Sequence, residues 1–242
     1  RPNFAWRYDG GAYVQRGDVA TVNFTTPDGV SLAFTTSTSG AAAPVLPWGP
    51  DGEGPAGWTD ALPLPLHWFV FSLGGAVTYT YSDARSGERV SGTGVAHAEK
   101  NWGGAFPRAW VWAQAVHVNA TTAHVDAALA LSGGPLRVVG PFAPELYLLG
   151  WRSPLLNVSF HPQDAAFDVK HDACGASLNV SATGALHRVD VALSDAPTRF
   201  GCVLGPTARG FAPICTETYT ATAVVTAYAR TFAGWRVLER GV

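Results

Sequence analysis

Methionine is absent from all 242 residues, position 1 included, and lysine occurs only at Lys100 and Lys170. A chain without even an initiator methionine is expected to be a processed or truncated product. Charged residues make up 14% of the chain, the net charge is -2 and the arginines are scattered. The basic stripe of a nucleic-acid binder is therefore missing, and there is no acidic tail. No apolar run approaches the roughly 18 residues of a spanning helix, and no charged-then-apolar leader opens the chain, so no transmembrane segment is expected. The seven histidines, at 67, 97, 117, 124, 161, 171 and 187, show no H-E-x-x-H or comparable metal spacing. No glycine-rich phosphate loop opens a helix and no G-x-S-x-G elbow occurs. Neither a metal nor a cofactor is expected.

What remains is apolar and β-like. Hydrophobic residues are 47% and aromatic residues 12% of the chain, enough for a large core. Residues 19–25, 31–36, 77–82, 167–171, 177–182, 187–193 and 217–228 alternate apolar with polar or small residues and are rich in Thr, Val and aromatics, which reads as strands. Turn signals fall between them: Pro27-Asp28-Gly29, Gly74-Gly75, Ala84 to Gly87, Ser132 to Pro135, Ala173-Cys174-Gly175 and Thr183-Gly184. No window carries a sustained 3.6-residue stripe. The expected fold is all-β, an antiparallel sandwich or barrel with little helix. Residues 40–65, dense in Pro and Gly, read as a long loop or linker between a segment 1–39 and a domain 66–242.

Of the six asparagines, Asn23, Asn119, Asn157 and Asn179 each begin an Asn-x-Ser/Thr acceptor. Apolar neighbours flank all four, so a strand's period of two turns each asparagine away from the apolar face. This excess points to secretion, with N-linked glycans at the four sites. The three cysteines allow at most one internal disulfide. Cys202 and Cys215 bracket the 205–213 turn and are placed to staple it, with Cys174 to Cys215 as the alternative.

The least ordinary stretch is 95–115. Lys100 stands between Glu99 and Asn101, and Trp102, Trp110 and Trp112 follow. Alternation through 109–119 puts Trp110, Trp112, Gln114 and Val116 on one side and Asn119 on the other, so the tryptophan side points inward if Asn119 is outward. Two indoles and an amide facing inward suit a pocket wall, and equally an aromatic core.

Glu99-Lys100-Asn101-Trp102-Gly103-Gly104-Ala105-Phe106-Pro107, followed by Ala109 to Gln114, resembles the signature of the tocopherol cyclase family: an E-K-N-W-G-x-x-F-P run, then aromatics and a glutamine. The Leu66 to Val70 strand, Gly92 to His97 and the Pro206 to Phe211 turn are weaker matches. The resemblance implies a lipocalin-like β-barrel that binds a prenylated aromatic or other lipophilic molecule and closes a chromanol ring by protonating an alkene. It also implies a plastid as the alternative to secretion. In that setting Glu99 is the candidate acid if burial raises its pKa, with Lys100 and Asn101 beside it. Trp102, Trp110, Trp112, Gln114 and His67 are candidate ligand contacts, the indoles stabilising a passing cation. Residues 1–39 become the remnant of a first barrel half, with Phe4-Ala5-Trp6-Arg7-Tyr8 at most a vestige of the family's amino-terminal F-E-G-W-Y element. The alternative is a secreted glycoprotein that uses the same β scaffold for assembly between copies, without catalysis.

Overall fold

A computed structural model describes residues 3–17, 19–37, 54–104, 109–122, 124–136, 144–172, 176–207 and 209–241. Among them, helix is confined to two short 3-10 turns, Gly57–Ala61 and Pro197–Arg199, and none is long and apolar enough to cross a membrane. Antiparallel strands carry the fold, as the alternation implies. They form two compact units, residues 1–159 and 160–242. The division expected around 40–65 is not where the described structure separates, because the strand before that segment pairs directly with the strand after it.

In the first unit, β1 (Phe4–Tyr8), β2 (Gly11–Arg16), β3 (Val19–Thr25), β4 (Val30–Ser37), β5 (Leu66–Asp83) and β6 (Glu88–Gly103) form a six-stranded meander in chain order. A second sheet contains β7 (Val111–Val118), β8 (Val125–Pro135), β9 (Glu145–Arg152) and β10 (Asn157–Phe160), in the order β10-β9-β8-β7. In the second unit, β11 (Ala166–Asp172), β12 (Ser177–Thr183) and β13 (His187–Ser194) join β16 (Thr222–Thr231) and β17 (Gly234–Gly241) in one sheet. The strands β14 (Gly201–Thr207) and β15 (Gly210–Glu217) form a separate hairpin.

The two sheets of the first unit meet where Trp68, Val70 and Leu73 of β5 pack on Ala128 and Ala130 of β8, with Trp112, Val125 and Leu148 around them. In the alternation Ala128-Leu129-Ala130-Leu131, the methyl side chains leave room for the indoles, while Leu129 and Leu131 are fully buried on the opposite face. Strict alternation along β5 would put Leu73 on the face away from Trp68 and Val70. A register shift between Val70 and Ser72 adds one residue and restores the phase. A second shift falls between Leu73 and Gly75, around Gly74 at φ 80°. A Cβ on Gly74 would lie 2.9 Å from a Val125 methyl, so both conformation and space select glycine there. The turn expected at Gly74-Gly75 is thus a bulge inside a long strand, and Ser132 to Pro135 likewise continues β8.

The Cys202–Cys215 staple is not formed, and both thiols are free. Cys202 lies opposite Thr216 and Cys215 opposite Val203, which sends the two side chains to opposite faces of the hairpin. Cys174 lies outside the described residues, and with it the alternative pairing.

Candidate functional site

The sequence motif is the end of a strand. Residues 99–103 close β6, with Val70 opposite Glu99, Trp68 opposite Asn101 and His67 opposite Trp102. The motif's Gly103 lies against the chain before β5, where a Cβ would overlap the Pro65 carbonyl oxygen. Only a residue without a side chain lets the two backbones meet there.

That register sorts the motif onto two faces. Glu99 leaves the inner face with Trp68 and Val70. One turn of the pleat earlier, His97 leaves the same face. The Trp68 indole N–H donates to Glu99 Oε2 at 2.9 Å, the Trp112 indole N–H donates at 3.0 Å, and His97 Nε2 lies 2.9 Å from the same oxygen. One carboxylate oxygen thus gathers side chains from β5, β6 and β7 and ties the two sheets together. The Glu99 and His97 side chains are 17% and 11% exposed. The His97 and Trp112 rings meet edge-on, with centroids 6.3 Å apart.

Burial is the largest influence on the Glu99 carboxyl and pushes its pKa up. The hydrogen bonds from His97, Trp68 and Trp112, with attraction to His97, outweigh burial and hold it below the ordinary value. The expected condition for an acid, a raised pKa, is therefore not met in the free protein: the donors stabilise the carboxylate more than burial penalises it. An ionised carboxylate only accepts hydrogen bonds, so Nε2 carries a proton. The other nitrogen, Nδ1, is buried and has no hydrogen-bond partner among the described residues. Leaving such a group unpaired costs about 1–3 kcal/mol.

The remaining expected site residues lie elsewhere. Trp102 is 38% exposed and stacks on His67 with centroids 5.1 Å apart, and Lys100 Nζ sits 5.3 Å from the Trp102 ring. Register puts His67, Lys100 and Trp102 on the face opposite Glu99. Asn101 is exposed. On β7, Trp112 is covered as expected, but Gln114 and Val116 are exposed although they share its face, because the first sheet reaches only Trp112. Trp110 is half-buried, and Phe106 and Pro107 lie outside the described residues. Trp68 and His97 are the additions that the register supplies.

Trp68, Trp112 and His97 close around the Glu99 carboxylate. A pocket of about 180 Å³ lies on the first sheet, bordered by Asn23, Thr25, Ser31 and Thr80, below the usual size of a small-molecule site. Among the described residues no His, Cys, Asp and Glu group has metal-binding geometry. Asn23, Asn157 and Asn179 are exposed. Asn119 is half-buried and closes the β7–β8 turn: its Oδ1 accepts the Thr121 and Thr122 N–H groups, and its amide nitrogen donates to Asp126.

Fold and site define an all-β protein in whose first unit two packed sheets are joined by a half-buried carboxylate held between two indoles and an imidazole. The chain belongs to the tocopherol cyclase-like family, whose model matches residues 16–239. A rice relative (Oryza sativa subsp. japonica), described as a probable tocopherol cyclase, chloroplastic, is 35% identical over 102 residues, or 40% of this chain. The match spans about a fifth of that relative's length, 21%. No solved structure matches the chain.

Proposed function

We propose that this protein binds a prenylated hydroquinone and closes a chromanol ring on it, with Glu99 as the reactive carboxyl. The observation that carries this reading is the gathering of three N–H donors on Oε2 of a half-buried carboxyl. Oε1 is left to carry the proton. Donors on one oxygen stabilise the carboxylate that forms when the other oxygen gives up its proton, which is what a strong acid requires. In the free protein that proton is mostly absent, so turnover first rises on acidification from neutral pH, as the carboxyl of lowered pKa gains its proton. The alkene takes the proton and becomes a tertiary cation, the hydroquinone oxygen attacks it, and the ring closes. The carboxylate and the adjoining indoles of Trp68 and Trp112 offset the passing positive charge. Ligand entry requires the packed cluster to open. The direct test is chromanol formation from a prenylhydroquinone by the purified chain over a range of pH. No turnover at any pH, with folded protein, removes the reading.

The family relationship to a chloroplastic relative favours a plastid for this chain. Exposure of Asn23, Asn157 and Asn179 favours the second reading, a secreted glycoprotein scaffold. Intact mass of native material before and after glycosidase separates the two: an unshifted mass discards secretion through the glycosylating route, and a shift of several glycans discards the plastid.

A further inference from the structure

We infer that His97 is the residue that receives the ligand's phenolic hydroxyl, its Nδ1 serving as the base that accepts the phenol proton. The inference rests on the cyclase reading and assigns the second proton transfer of that reaction. Glu99 fixes the tautomer: in the neutral imidazole, with Nε2–H directed at the carboxylate, Nδ1 presents a bare lone pair. That lone pair is buried and has no partner among the described residues, whereas buried acceptors in native proteins nearly always have one. The neighbourhood explains which partner it lacks. His97 lies opposite Leu73 in the β5–β6 ladder, against the apolar cluster of Trp68, Val70 and Leu73, with the Trp112 ring edge-on to it. Apolar and aromatic surroundings with a single acceptor fit an aromatic ring that carries one O–H donor.

Other titratable groups are engaged away from it. Lys100 and His67 flank Trp102 on the opposite face of the first sheet, and His117 on β7 pairs with Asp126 on β8. Glu99 is therefore the charge that His97 meets.

The proton balance closes through the pair and the solvent. Protonated Glu99 breaks its O–H bond, and the alkene π pair forms the new C–H bond. The phenol oxygen's lone pair forms the C–O bond to the tertiary cation. The phenol O–H then breaks, its proton going to the lone pair of Nδ1. The resulting imidazolium faces the carboxylate left by the first step; release of the Nδ1 proton to solvent and uptake of one solvent proton at Oε1 restore both the base and the acid. The imidazole returns to its starting tautomer between turnovers, and the reaction is an isomerisation with no net proton consumed.

The test uses the full chain labelled with 15N-histidine and two probes, 4-methylphenol and its methyl ether. The His97 resonances are identified by their loss in His97→Gln, or in His97→Phe if that variant does not fold. In its neutral form His97 is expected to show its proton at Nε2 and a bare Nδ1. The phenol is expected to shift the Nδ1 signal and to bind at least about tenfold more tightly than the ether, the worth of one good hydrogen bond. A Nδ1 signal that ignores the phenol, or responds equally to the ether, overturns the inference; an ordered water on Nδ1 would give the first of these results. The cyclase reading fails in a different way. Response of Nδ1 to the phenol without turnover of a prenylhydroquinone supports His97 as the phenol acceptor and removes the reaction. Turnover with a silent Nδ1 removes His97 alone.

Discussion

Replacing Glu99 tests whether its carboxylate is a structural hub as well as a reagent. In Glu99→Leu the Trp68 and Trp112 indole N–H groups and the His97 N–H all lose their acceptor at once. Each buried donor left unmade costs about 1–3 kcal/mol, so the loss is about 3–9 kcal/mol before relaxation. Water reaching the site and rotation of the imidazole reduce this, and about 4 kcal/mol is the expected outcome, a large part of a domain's usual 5–15 kcal/mol. Glu99→Gln keeps an oxygen in place but trades charge-assisted bonds for neutral ones and adds an NH2 group. Its expected cost is about 1–2 kcal/mol. Urea unfolding followed by tryptophan fluorescence measures both, with the two units fitted as separate transitions if two appear. Equal stability of the leucine variant and wild type would show that the three bonds do not form. Equal damage in the leucine and glutamine variants would show that charge, and not acceptance of the three bonds, is what matters.

Further outcomes follow from the same geometry. Because the Glu99 pKa is lowered in the folded state, its stabilising contribution is complete above the ordinary value of 4.5 and disappears as pH falls through the lowered value. Trp112→Phe removes one donor and moves the carboxyl back toward 4.5, which carbon-detected NMR titration of the glutamate carboxyls will show. Gly74→Ala meets both a φ of 80° and the Val125 methyl at 2.9 Å, whereas Gly87→Ala meets a φ of 75° in open space. The expected loss at Gly87 is about 1 kcal/mol, and at Gly74 about 1–3 kcal/mol more, read from the same urea curves. Leu131→Ala and Leu149→Ala each empty a fully buried site, with an expected loss of about 2–5 kcal/mol.

The strands were legible wherever one face is covered and the other solvated. The spans read at 19–25, 167–171, 177–182 and 187–193 fall within one residue of β3, β11, β12 and β13. Alternation failed where a polar partner pulls the chain out of a ladder: the run 217–228 breaks after Glu217, where the Thr218 and Thr220 hydroxyls turn to the Asp195 carboxylate. Glycine pairs misled for a related reason. Gly133 sits in β8 because a Cβ there would overlap the Tyr147 ring of β9, a close approach that resembles a turn signal in one dimension. At the site, Glu99 and Trp112 were found from the motif and the inward face of β7. His97 was within reach of the period-two rule, since residues 97 and 99 share a face. Trp68 was not, because its alignment with Glu99 depends on the β5–β6 register and on a bulge that leaves no mark in composition. Lys100 and Trp102 drew attention for rarity and aromaticity, yet the same period of two sends them to the outer face.

The most direct measurement is the rate of chromanol formation from a prenylhydroquinone, for wild type and Glu99→Gln side by side, from neutral pH downward. The account predicts turnover by wild type that first increases on acidification from neutral pH, as the carboxyl of lowered pKa gains its proton. It predicts that Glu99→Gln, folded and still binding the ligand, loses activity by about two to four orders of magnitude at every pH. Full activity in Glu99→Gln, folded and still binding the ligand, contradicts it.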